Sequence, residues 1–383
     1  MNNQTEIDPG QVGALVTIKS VQTWRALLRR AVAWKTARYT KGDIEATVVG
    51  ISDADGTVGY GYMPSMSVVG ESALSSEAII QTLLAPVVKD RNFVGIQPVL
   101  KEIEQVLGGN CQTKFAIEEA LWDLVAKKLR TPVVNLIGGA CRREVPVMRM
   151  LGLKPPEETA AEAKALVDRG YRHVKVKIGL DENRDVETVH RVRDLIGDEV
   201  FLSVDANQAY APMQAVRVLN RLEDVHLGVV EQPVRRDDIR GMAFVRQRVA
   251  VPIMADEGIE TATDALRHID AGAMDAVSIK LWKMGGLYRS RDIASVCRAA
   301  NVSIHVGSTA GSQLLEAMQL HFCASLPDLF GGAEIGEFES LTNDPASGLV
   351  VEHGALELPG APGLGVKIDQ NKLRETSGFW EAK

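Results

Sequence analysis

Charged residues recur at the ends of apolar runs in this chain, and the first of these runs holds two lysines. The run HVKVKIG (173–179) contains Lys175 and Lys177, separated by one valine. Alternate residues of a β-strand point to the same side, so a strand here would direct both ammonium groups to one place. Each of two such cations raises the cost of charging the other. The runs that follow carry single charged residues near their ends: Asp205, Glu231, Asp256 and Lys280.

Each of these residues, taken singly, also has a purely structural explanation. Lysines that alternate with valines are typical of the solvent side of an edge strand, where lysine opposes aggregation. A single acid or lysine at a strand end is often part of an ordinary salt bridge. A chemical site is therefore expected only if the fold brings all of these residues together.

The spacing of the charged residues follows a repeating strand–helix pattern that begins at Val145. Longer amphipathic stretches separate the apolar runs, and PEETAAEAKALVDRG has the acidic start and glycine end of a helix. Strands this apolar are covered on both faces and pair in parallel, which predicts an α/β fold with a (β/α)8-like (modified TIM) barrel. Eight strands are predicted: VPVMRML (145–151), HVKVKIG (173–179), FLSVDAN (201–207), LGVVEQP (227–233), IMADE (253–257), AVSIKLW (276–282), VSIHVG (302–307) and AEIGEF (333–338).

In such a barrel the charged strand ends converge on one cleft, because active sites lie at the carboxyl ends of the strands. Asp205, Glu231 and Asp256 would stand on adjacent strands and repel one another unless a divalent cation lay between them. Ligands that are all oxygen atoms suit a hard ion. We therefore predict Mg²⁺ as the cofactor, with Mn²⁺ able to replace it.

The first part of the chain and its last part have different patterns from the barrel. Residues 1–140 predict antiparallel strands followed by helices, with Asp55-Gly56 as the signal of a hairpin. The last residues are polar and rich in glycine and proline. We predict an α+β domain over 1–140, the barrel with the active site over 141–340, and a C-terminal segment, 341–383, that returns to the first domain.

Composition argues against several classes of protein. The formal net charge is −7 and no block rich in lysine or arginine reverses it, which argues against a nucleic-acid partner. No apolar run approaches a membrane span, and the start MNNQTEIDPG lacks the profile of a signal peptide. The four cysteines form no CxxC pair, so neither a zinc site nor a disulfide framework is predicted. A cytoplasmic protein is the default expectation.

Together the charged runs resemble the enolase superfamily, specifically its muconate lactonizing enzyme (muconate cycloisomerase) branch. The motifs that carry the resemblance are KVK with Lys175 and Lys177, VDAN with Asp205, EQP with Glu231, ADE with Asp256, and SIKLWKMGG with Lys280. FAIEEALWDLVAKKLRTPVVNLIGG (115–139) and PGLGV (362–366) extend it over nearly the whole chain. The resemblance implies a (β/α)8-like barrel with an α+β capping domain, a small carboxylate substrate, and a homo-oligomer.

The resemblance also implies a reaction that begins with removal of the proton next to the substrate carboxylate. The resulting enediolate carries two negative charges, which the metal ion and the ammonium group of Lys175 would offset. A base must be neutral, and two cations nearby favour the neutral form of Lys177. Lys280, on the opposite side of the barrel, would remove or deliver a proton on the other face of the same carbon.

Substrate contacts are predicted at His305, Glu334 and Tyr62. In the mandelate racemase branch of the superfamily, a catalytic histidine on the seventh strand pairs with an aspartate on the sixth. Here His305 lies on the seventh predicted strand, but Lys280 ends the sixth, so His305 is not expected to act as a base. Glu334 lies on the eighth predicted strand. In this family the capping domain closes loops over the substrate, here expected around residues 25–35 and around GYGYMPS (59–65), which includes Tyr62.

The sequence does not choose among the reactions that this superfamily catalyses. We expect a muconate-type cycloisomerase or an amino-acid-type racemase or epimerase. A dehydratase of acid sugars or hydroxy acids is the alternative within the superfamily. From other classes, Lys280 could form a Schiff base as in an aldolase, or the barrel could bind a ligand without catalysis.

Overall fold

The N-terminal part folds as an antiparallel sheet covered by helices. The computed structural model describes residues 16–31, 34–35, 40–65, 70–93, 95–309 and 311–378. The first strands are β1 (Val16–Leu28), β2 (Trp34–Lys35), β3 (Thr40–Lys41), β4 (Ile44–Asp53), β5 (Val58–Pro64) and β6 (Asn92–Phe93). The helices are α1 (Ala73–Ile79), α2 (Ala85–Val88), α3 (Gln97–Val106), α4 (Cys111–Lys128) and α5 (Val133–Leu136), with a π-helical turn, Ile80–Leu84, between α1 and α2. The sheet order is β5-β4-β1-β6, and β2 pairs with β3.

Strand β5 lies directly against helix α4. A Cβ atom on Gly59 would lie 2.5 Å from the backbone nitrogen of Leu124, and one on Gly61 would overlap the carbonyl oxygen of Ala116. Only glycine leaves room for two backbones to approach this closely. The prediction of a loop over residues 59–65 is therefore wrong, because β5 runs to Pro64 and pairs with β4 along its length.

The hairpin between β4 and β5 was predicted correctly. Gly56 has a φ of +87°, in the region that favours glycine, and the backbone nitrogen of Thr57 donates to Asp55 Oδ1 at 2.9 Å. Of the other predicted loop, residues 25–28 belong to β1, and residues 32–33 lie outside the described part of the chain.

The second part of the chain alternates strands and helices. Its strands are β7 (Glu144–Pro146), β8 (Met148–Leu151), β9 (His173–Lys177), β10 (Phe201–Asp205), β11 (Val229–Glu231), β12 (Ile253–Ala255), β13 (Ala276–Ile279) and β14 (Ser303–Val306). Its helices are α6 (Pro156–Asp168), α7 (Glu182–Ile196), α8 (Pro212–Asn220), α9 (Ile239–Arg246), α10 (Ala262–Asp270), α11 (Leu281–Met284), α12 (Leu287–Ala299) and α13 (Gln313–Ser325), with 3₁₀ turns at Glu223–Val225 and Glu337–Ser340. Strands β8 to β14 form one parallel sheet in chain order, which confirms the predicted barrel class.

The register of this sheet brings the charged strand ends close to one level. Asp205 pairs with Lys177 on one side and with Glu231 on the other. Glu231 pairs with Met254, two residues before Asp256. Because all seven strands run in the same direction, their carboxyl ends form one rim, and alternation along each strand turns the charged residues to the same face.

The eighth predicted strand is not a regular strand. Ala333 forms a parallel bridge with Val147, and the backbone nitrogen of Glu334 donates to Val306 at 3.0 Å, so this segment joins both edges of the sheet. The rest of AEIGEF turns into the 3₁₀ segment Glu337–Ser340. Arg149 on β8 holds that turn through Glu337 at 3.6 Å and Glu339 at 2.9 Å. The barrel is therefore closed by the backbone hydrogen bonds of Ala333 and Glu334 to its two edges, without a regular eighth strand.

The C-terminal residues run back across the first sheet and its helices. They form β15 (Ala346–Ser347), β16 (Val351–Glu352), β17 (Ala355–Glu357), β18 (Lys367–Ile368) and α14 (Gln370–Gly378). Leu364 donates its backbone N–H to Asp123 on α4, and Gln370 donates to the hydroxyl of Tyr60 on β5 at 2.6 Å. Strand β17 pairs with β7 at the start of the barrel. Within the described ranges, no helix is both long and apolar enough to span a membrane.

Candidate active site

The two lysines of β9 reach different carboxylates at the rim of the barrel. Lys175 Nζ lies 2.6 Å from Glu231 Oε2 and 3.7 Å from Asp205 Oδ2, and it also bonds directly to Glu334. Lys177, two residues nearer the carboxyl end of β9, bonds Asp205. Lys175 is 1% exposed and Lys177 is 6% exposed, so both ammonium groups are held in a largely dry interior. The two lysines that the sequence places side by side therefore occupy different depths of one site.

A third and a fourth lysine face the same group of acids from the other side. Lys280, directly after β13, lies 2.5 Å from Asp256 Oδ2 and 3.8 Å from Glu231 Oε1. Lys283, in the short helix α11, bonds Asp256 Oδ1 at 2.6 Å and the carbonyl oxygen of Asp256 at 2.5 Å. The acids thus form a row at the carboxyl ends of β10, β11 and β12, with lysines from β9 at one end and lysines after β13 at the other.

Burial and neighbouring charges shift the pKa values of two acids of this row in opposite directions. Burial, with repulsion from Asp205, raises the pKa of Glu231 well above its usual range, and Lys175 only partly offsets this. Burial also acts to raise the pKa of Asp256, but Lys280 and Lys283 outweigh it and hold that pKa well below the usual range. The surroundings therefore favour the charged form of Asp256 and oppose that of Glu231, the central acid of the row.

The lysines respond to the same acids. Burial acts to lower the pKa of Lys175, but attraction to Glu231 and Glu334 outweighs it and raises that pKa. Burial likewise opposes the charge on Lys280, and Asp256 with Glu231 outweighs burial so that the pKa of Lys280 rises well above its usual range. In this arrangement the ammonium groups neutralise a row of carboxylates that would otherwise repel one another.

The donor set of the row fits a hard divalent cation. Asp205, Glu231 and Asp256 supply only oxygen atoms, and no donor in the described part of the chain hydrogen-bonds to the buried Oε1 of Glu231. In the ranges described, no three histidine, cysteine, aspartate or glutamate side chains already surround a metal position. Ammonium groups lie against these oxygens instead, and a bound cation would replace some of those contacts.

The structure places His305 and Glu334 beside Lys175, below the rim. Glu334 Oε1 lies 3.4 Å from His305 Nε2, and Glu334 Oε2 accepts a hydrogen bond from the backbone of Ser308 at 3.0 Å. The other ring nitrogen of His305 lies 3.3 Å from the carbonyl oxygen of Phe330. Both side chains thus pack around the inner lysine, with Glu334 as its direct partner.

Tyr62 is not brought together with these residues. It lies on β5, has no exposed surface, and its backbone nitrogen donates to Glu119 on α4 at 2.7 Å. Its ring lies close to Gly311 at the start of α13, and the charged groups that act on its hydroxyl are Asp344, Arg30 and Glu316. The prediction of a substrate contact at Tyr62 is corrected accordingly, because the residue is part of the core between the first sheet and α13.

Sequence reasoning missed two further charged residues of the site. Alternation along a strand would turn Glu257, the residue after Asp256, away from a metal ion at the row, but β12 ends at Ala255, so strand alternation no longer applies. Glu257 is held by Asn207 at 3.2 Å, and burial together with Asp256 and Asp205 raises its pKa. Lys283, which is not among the predicted site residues, bonds Asp256 itself. Its spacing from Lys280, one helical turn, was the available signal.

Comparison with known sequences agrees with this geometry. A family described as "Enolase C-terminal domain-like" matches residues 158–372, and "Mandelate racemase / muconate lactonizing enzyme, N-terminal domain" matches residues 19–138. The chain belongs to the enolase superfamily. The two matches together also place it in the mandelate racemase/muconate lactonizing enzyme group, as the five motifs predicted.

Curated relatives in this superfamily are isomerases. The L-Ala-D/L-Glu epimerase of Bacillus subtilis is 31% identical over 350 residues, which are 90% of this chain and 95% of that protein. The N-succinyl-L-Arg/Lys racemase of Bacillus cereus is 30% identical over 88% of this chain and 91% of its own length. Muconate cycloisomerase 1 of Rhodococcus opacus is 31% identical over 85% and 89%. This enolase-superfamily chain is therefore an enzyme, and isomerase chemistry is its class.

Solved structures of the superfamily have the same fold over nearly their full length. The N-succinyl Arg/Lys racemase from Bacillus cereus superposes with a TM-score of 0.91 at 28% identity, covering 94% of this chain and 98% of that one. Muconate lactonizing enzyme from Pseudomonas fluorescens, solved with muconolactone, also gives 0.91 at 28% identity, with coverage of 94% and 99%. A dipeptide epimerase from Enterococcus faecalis, solved with Mg and the dipeptide L-Leu-L-Tyr, gives 0.88 at 28% identity, with coverage of 92% and 99%.

Proposed function

We propose that this enzyme is a Mg²⁺-dependent racemase or epimerase that moves the proton next to a substrate carboxylate from one face of the carbon to the other. The observation that carries the proposal is the position of Lys177 and Lys280 at opposite ends of one row of acids. Each of these lysines is held by its own carboxylate, Asp205 for one and Asp256 for the other. A reaction that needs one proton donor or acceptor on each face requires two such groups.

Asp205, Glu231 and Asp256 are the residues that would hold the metal ion. A divalent cation there supplies positive charge beside the substrate carboxylate, where negative charge increases as the α-proton leaves. The support from this chain is the all-oxygen donor set and the buried oxygen of Glu231 that lacks a donor. The Enterococcus faecalis relative solved with Mg and a dipeptide supports the choice of ion.

Lys177 and Lys280 hold and move the protons in this proposal. For one stereoisomer Lys177 removes the α-proton and Lys280 delivers another to the opposite face, and for the other isomer the roles reverse. Lys175 stays charged, because Glu231 and Glu334 hold its ammonium group in place, and it adds a fixed positive charge at the base of the site. Lys175 and Lys177 are buried and the side chain of Lys280 is only 12% exposed, so little water reaches the groups that transfer the proton.

The substrate class that we propose is an acylated amino acid or a dipeptide. The relatives named as L-Ala-D/L-Glu epimerase and N-succinyl-L-Arg/Lys racemase, which match most of this chain, carry names of that class. The hydrophobic dipeptide epimerase of Enterococcus faecalis, 28% identical over 91% of this chain, belongs to the same class. Such a substrate presents one carboxylate and one exchangeable α-proton, as the site requires.

A muconate-type cycloisomerase is the second candidate. It is favoured by the 31% identity to muconate cycloisomerase 1 and by the equally high structural similarity to muconate lactonizing enzyme. In that reaction one lysine transfers the proton, and the lysine at the other end of the row acts as a cation beside the ring. The two candidate reactions thus assign different roles to Lys177 and Lys280.

Proton exchange in deuterated water tests the proposal. The enzyme with Mg²⁺ is incubated with L-Ala-L-Glu and L-Ala-D-Glu, with N-succinyl-L-lysine and N-succinyl-D-lysine, and with cis,cis-muconate. Incorporation of deuterium at the α-carbon is followed by NMR. Lys177→Ala and Lys280→Ala are each expected to lose on the order of 10²–10⁴-fold in turnover, because each removes a positioned acid or base. Each variant should still exchange the α-proton of one isomer, the one that faces the remaining lysine. Lys89→Ala, an exposed lysine of the N-terminal sheet region, is the control.

The outcomes separate the remaining candidates. Turnover of muconate alone, with no isomer-selective exchange in either variant, would support the cycloisomerase. Two separate assays test the other classes. Loss of water from an added hydroxy acid would indicate a dehydratase, and capture of a carbonyl substrate on Lys280 by borohydride would indicate an aldolase. A Lys177→Ala protein that racemises a substrate at the original rate would refute the assignment of both lysines.

A further inference from the structure

Gly307 lies beside the side chain of Lys280 at the end of the seventh strand. Strand β14 ends at Val306, and the backbone nitrogen of Gly307 still donates to the carbonyl oxygen of Ile279 on β13 at 2.9 Å. Ile279 is the residue before Lys280. The hydrogen-bonded backbone of Gly307 therefore forms the wall along which the Lys280 side chain crosses toward Asp256.

A side chain at position 307 would occupy the space that Lys280 uses. A Cβ atom there would lie 2.6 Å from Cε and 3.1 Å from Cγ of Lys280, and it would also overlap the hydroxyl oxygen of Ser278. Carbon atoms in contact prefer a separation of about 3.5–4.0 Å. A methyl group and the Lys280 side chain thus cannot both occupy their present positions.

Conformation does not explain the glycine. Gly307 is not among the described glycines with positive φ, so alanine can adopt its backbone conformation. Its hydrogen bond to the neighbouring strand ties the backbone to the sheet, which prevents the chain from moving away from an added methyl group. The groups left to move are the side chains of Lys280 and Ser278, of which Lys280 is the longer and more flexible.

We propose that Gly307 is a positioning residue, whose lack of a side chain leaves the room in which Lys280 reaches Asp256 and the rim of the site. The consequence for catalysis rests on the proposed function, because only there does Lys280 transfer a proton. The consequence for the position of Lys280 does not. Gly307→Ala therefore displaces the Lys280 ammonium group from Asp256, while Lys177, on the opposite side of the barrel, stays in place.

Chemical labelling of lysines measures this displacement without a substrate. The folded apoprotein is treated briefly with acetic anhydride, and acetylation of each lysine is quantified by mass spectrometry of its peptide. In the original protein Lys280 is paired with Asp256 and mostly buried, so its labelling is slow. In Gly307→Ala we expect Lys280 to be labelled several-fold faster and Lys177 at its original rate. Gly108→Ala, where a Cβ meets nothing within 4 Å, is the matched control.

Ser278 provides a second variant in case the alanine is poorly tolerated. Ser278 Oγ is buried with no hydrogen-bond partner in the described part of the chain, so Ser278→Ala breaks no bond and should label like the original protein. The double variant Ser278→Ala/Gly307→Ala removes the overlap with the hydroxyl and leaves only the overlap with Lys280. Faster labelling of Lys280 in the double variant supports the proposal. If Lys280 is labelled at its original rate in both Gly307 variants, the proposal is overturned. It is also overturned if both Gly307 variants unfold while Ser278→Ala folds normally.

Isotope exchange then separates this proposal from the proposed function. The assay uses whichever substrate of the panel the enzyme converts. Gly307→Ala should slow deuterium exchange at the α-carbon of the isomer whose proton faces Lys280 by on the order of tenfold or more, because a small displacement of a reacting group lowers the rate strongly. Exchange of the isomer that uses Lys177 should stay within about twofold, since that lysine keeps its position. Faster labelling of Lys280 without any difference between the isomers would leave the role of Gly307 intact and refute the two-lysine reaction.

Discussion

The carboxyl group of Glu118, on α4, accepts a hydrogen bond from the backbone nitrogen of Tyr288, on α12, at 3.1 Å. The same oxygen accepts a bond from Trp122 Nε1 at 3.1 Å. Glu118 thereby binds the first turn of α12, the second helix after Lys280, where backbone N–H groups lack partners within the helix. A buried acid of the N-terminal part thus holds the strand–helix unit that carries a proposed catalytic lysine. Burial outweighs these bonds and raises the pKa of Glu118 to about 7.

This raised pKa predicts that stability falls as the pH rises. Below pH 4.5, the ordinary value, the folded and unfolded forms both carry a protonated Glu118. Between there and about pH 7 only the folded form keeps the proton, so the free energy of unfolding decreases with pH by on the order of 3 kcal/mol for this group. Glu118→Gln removes this group's share of the pH dependence. Urea unfolding at about pH 5 and about pH 8 measures it, with the slope set by the proton difference.

Glu102→Gln is the control for this measurement, because Glu102 lies on the exposed side of α3 and bonds the surface residue Arg91. That variant should keep the pH dependence of the original protein. If Glu118→Gln and Glu102→Gln lose equal parts of the pH dependence, Glu118 does not titrate between the folded and unfolded states as we expect.

Gly61→Ala is expected to destabilise the N-terminal sheet strongly. A Cβ atom at Gly61 overlaps the carbonyl oxygen of Ala116, so either β5 or α4 must move, and overpacking of this kind costs about 1–3 kcal/mol or more. Gly108→Ala serves as the control, since its Cβ meets no atom within 4 Å. Thermal unfolding followed by circular dichroism gives the difference. Equal melting temperatures for the two variants would contradict the close packing of β5 on α4.

The sequence was sufficient for those parts of the site that a regular repeat determines. Each acid of the row ends a strand or directly follows one, and parallel pairing of the strands brings Asp205, Glu231 and Asp256 to neighbouring positions. Alternation along β9 places Lys175 and Lys177 on one face. These inferences need only the period of the strands and the order of the units along the chain.

The parts that sequence reasoning missed depend on contacts between distant residues. AEIGEF has the alternation of a strand, but Arg149, far away in the chain, draws Glu337 and Glu339 into a turn. Tyr62 was assigned to a loop because the resemblance places substrate-covering loops in the capping domain, whereas Gly59 and Gly61 allow β5 to pack closely on α4. Glycine marks both loops and tight packing, and only the position of the helix distinguishes them.

Removal of one charge from the row of acids is expected to weaken metal binding. Glu231→Gln keeps the shape of the side chain but removes a charged oxygen from the centre of the row, so Mg²⁺ affinity should fall on the order of tenfold or more. Calorimetric titration of the metal-free protein with MgCl₂ measures the affinity directly. Glu260→Gln, an acid that bonds Arg236 at the surface, is the control. Full activity of the original enzyme in excess chelator would refute the metal assignment.

The pair formed by Lys283 and Asp256 is expected to show strong energetic coupling. Both residues are buried, and Lys283 bonds the carboxylate and the carbonyl oxygen of Asp256. Removal of the Asp256 charge leaves the Lys283 ammonium group without this partner in the interior, and removal of Lys283 leaves Asp256 with Lys280 as its cation. A double-mutant cycle with Lys283→Met and Asp256→Asn, measured by urea unfolding in chelator, should give a coupling energy of about 1–3 kcal/mol. The exposed pair Lys164 and Asp168, on one face of α6, should give no measurable coupling in the same cycle. Equal coupling in the two pairs would mean that Lys283 does not position Asp256, and the row of acids would then depend on Lys280 alone at that end.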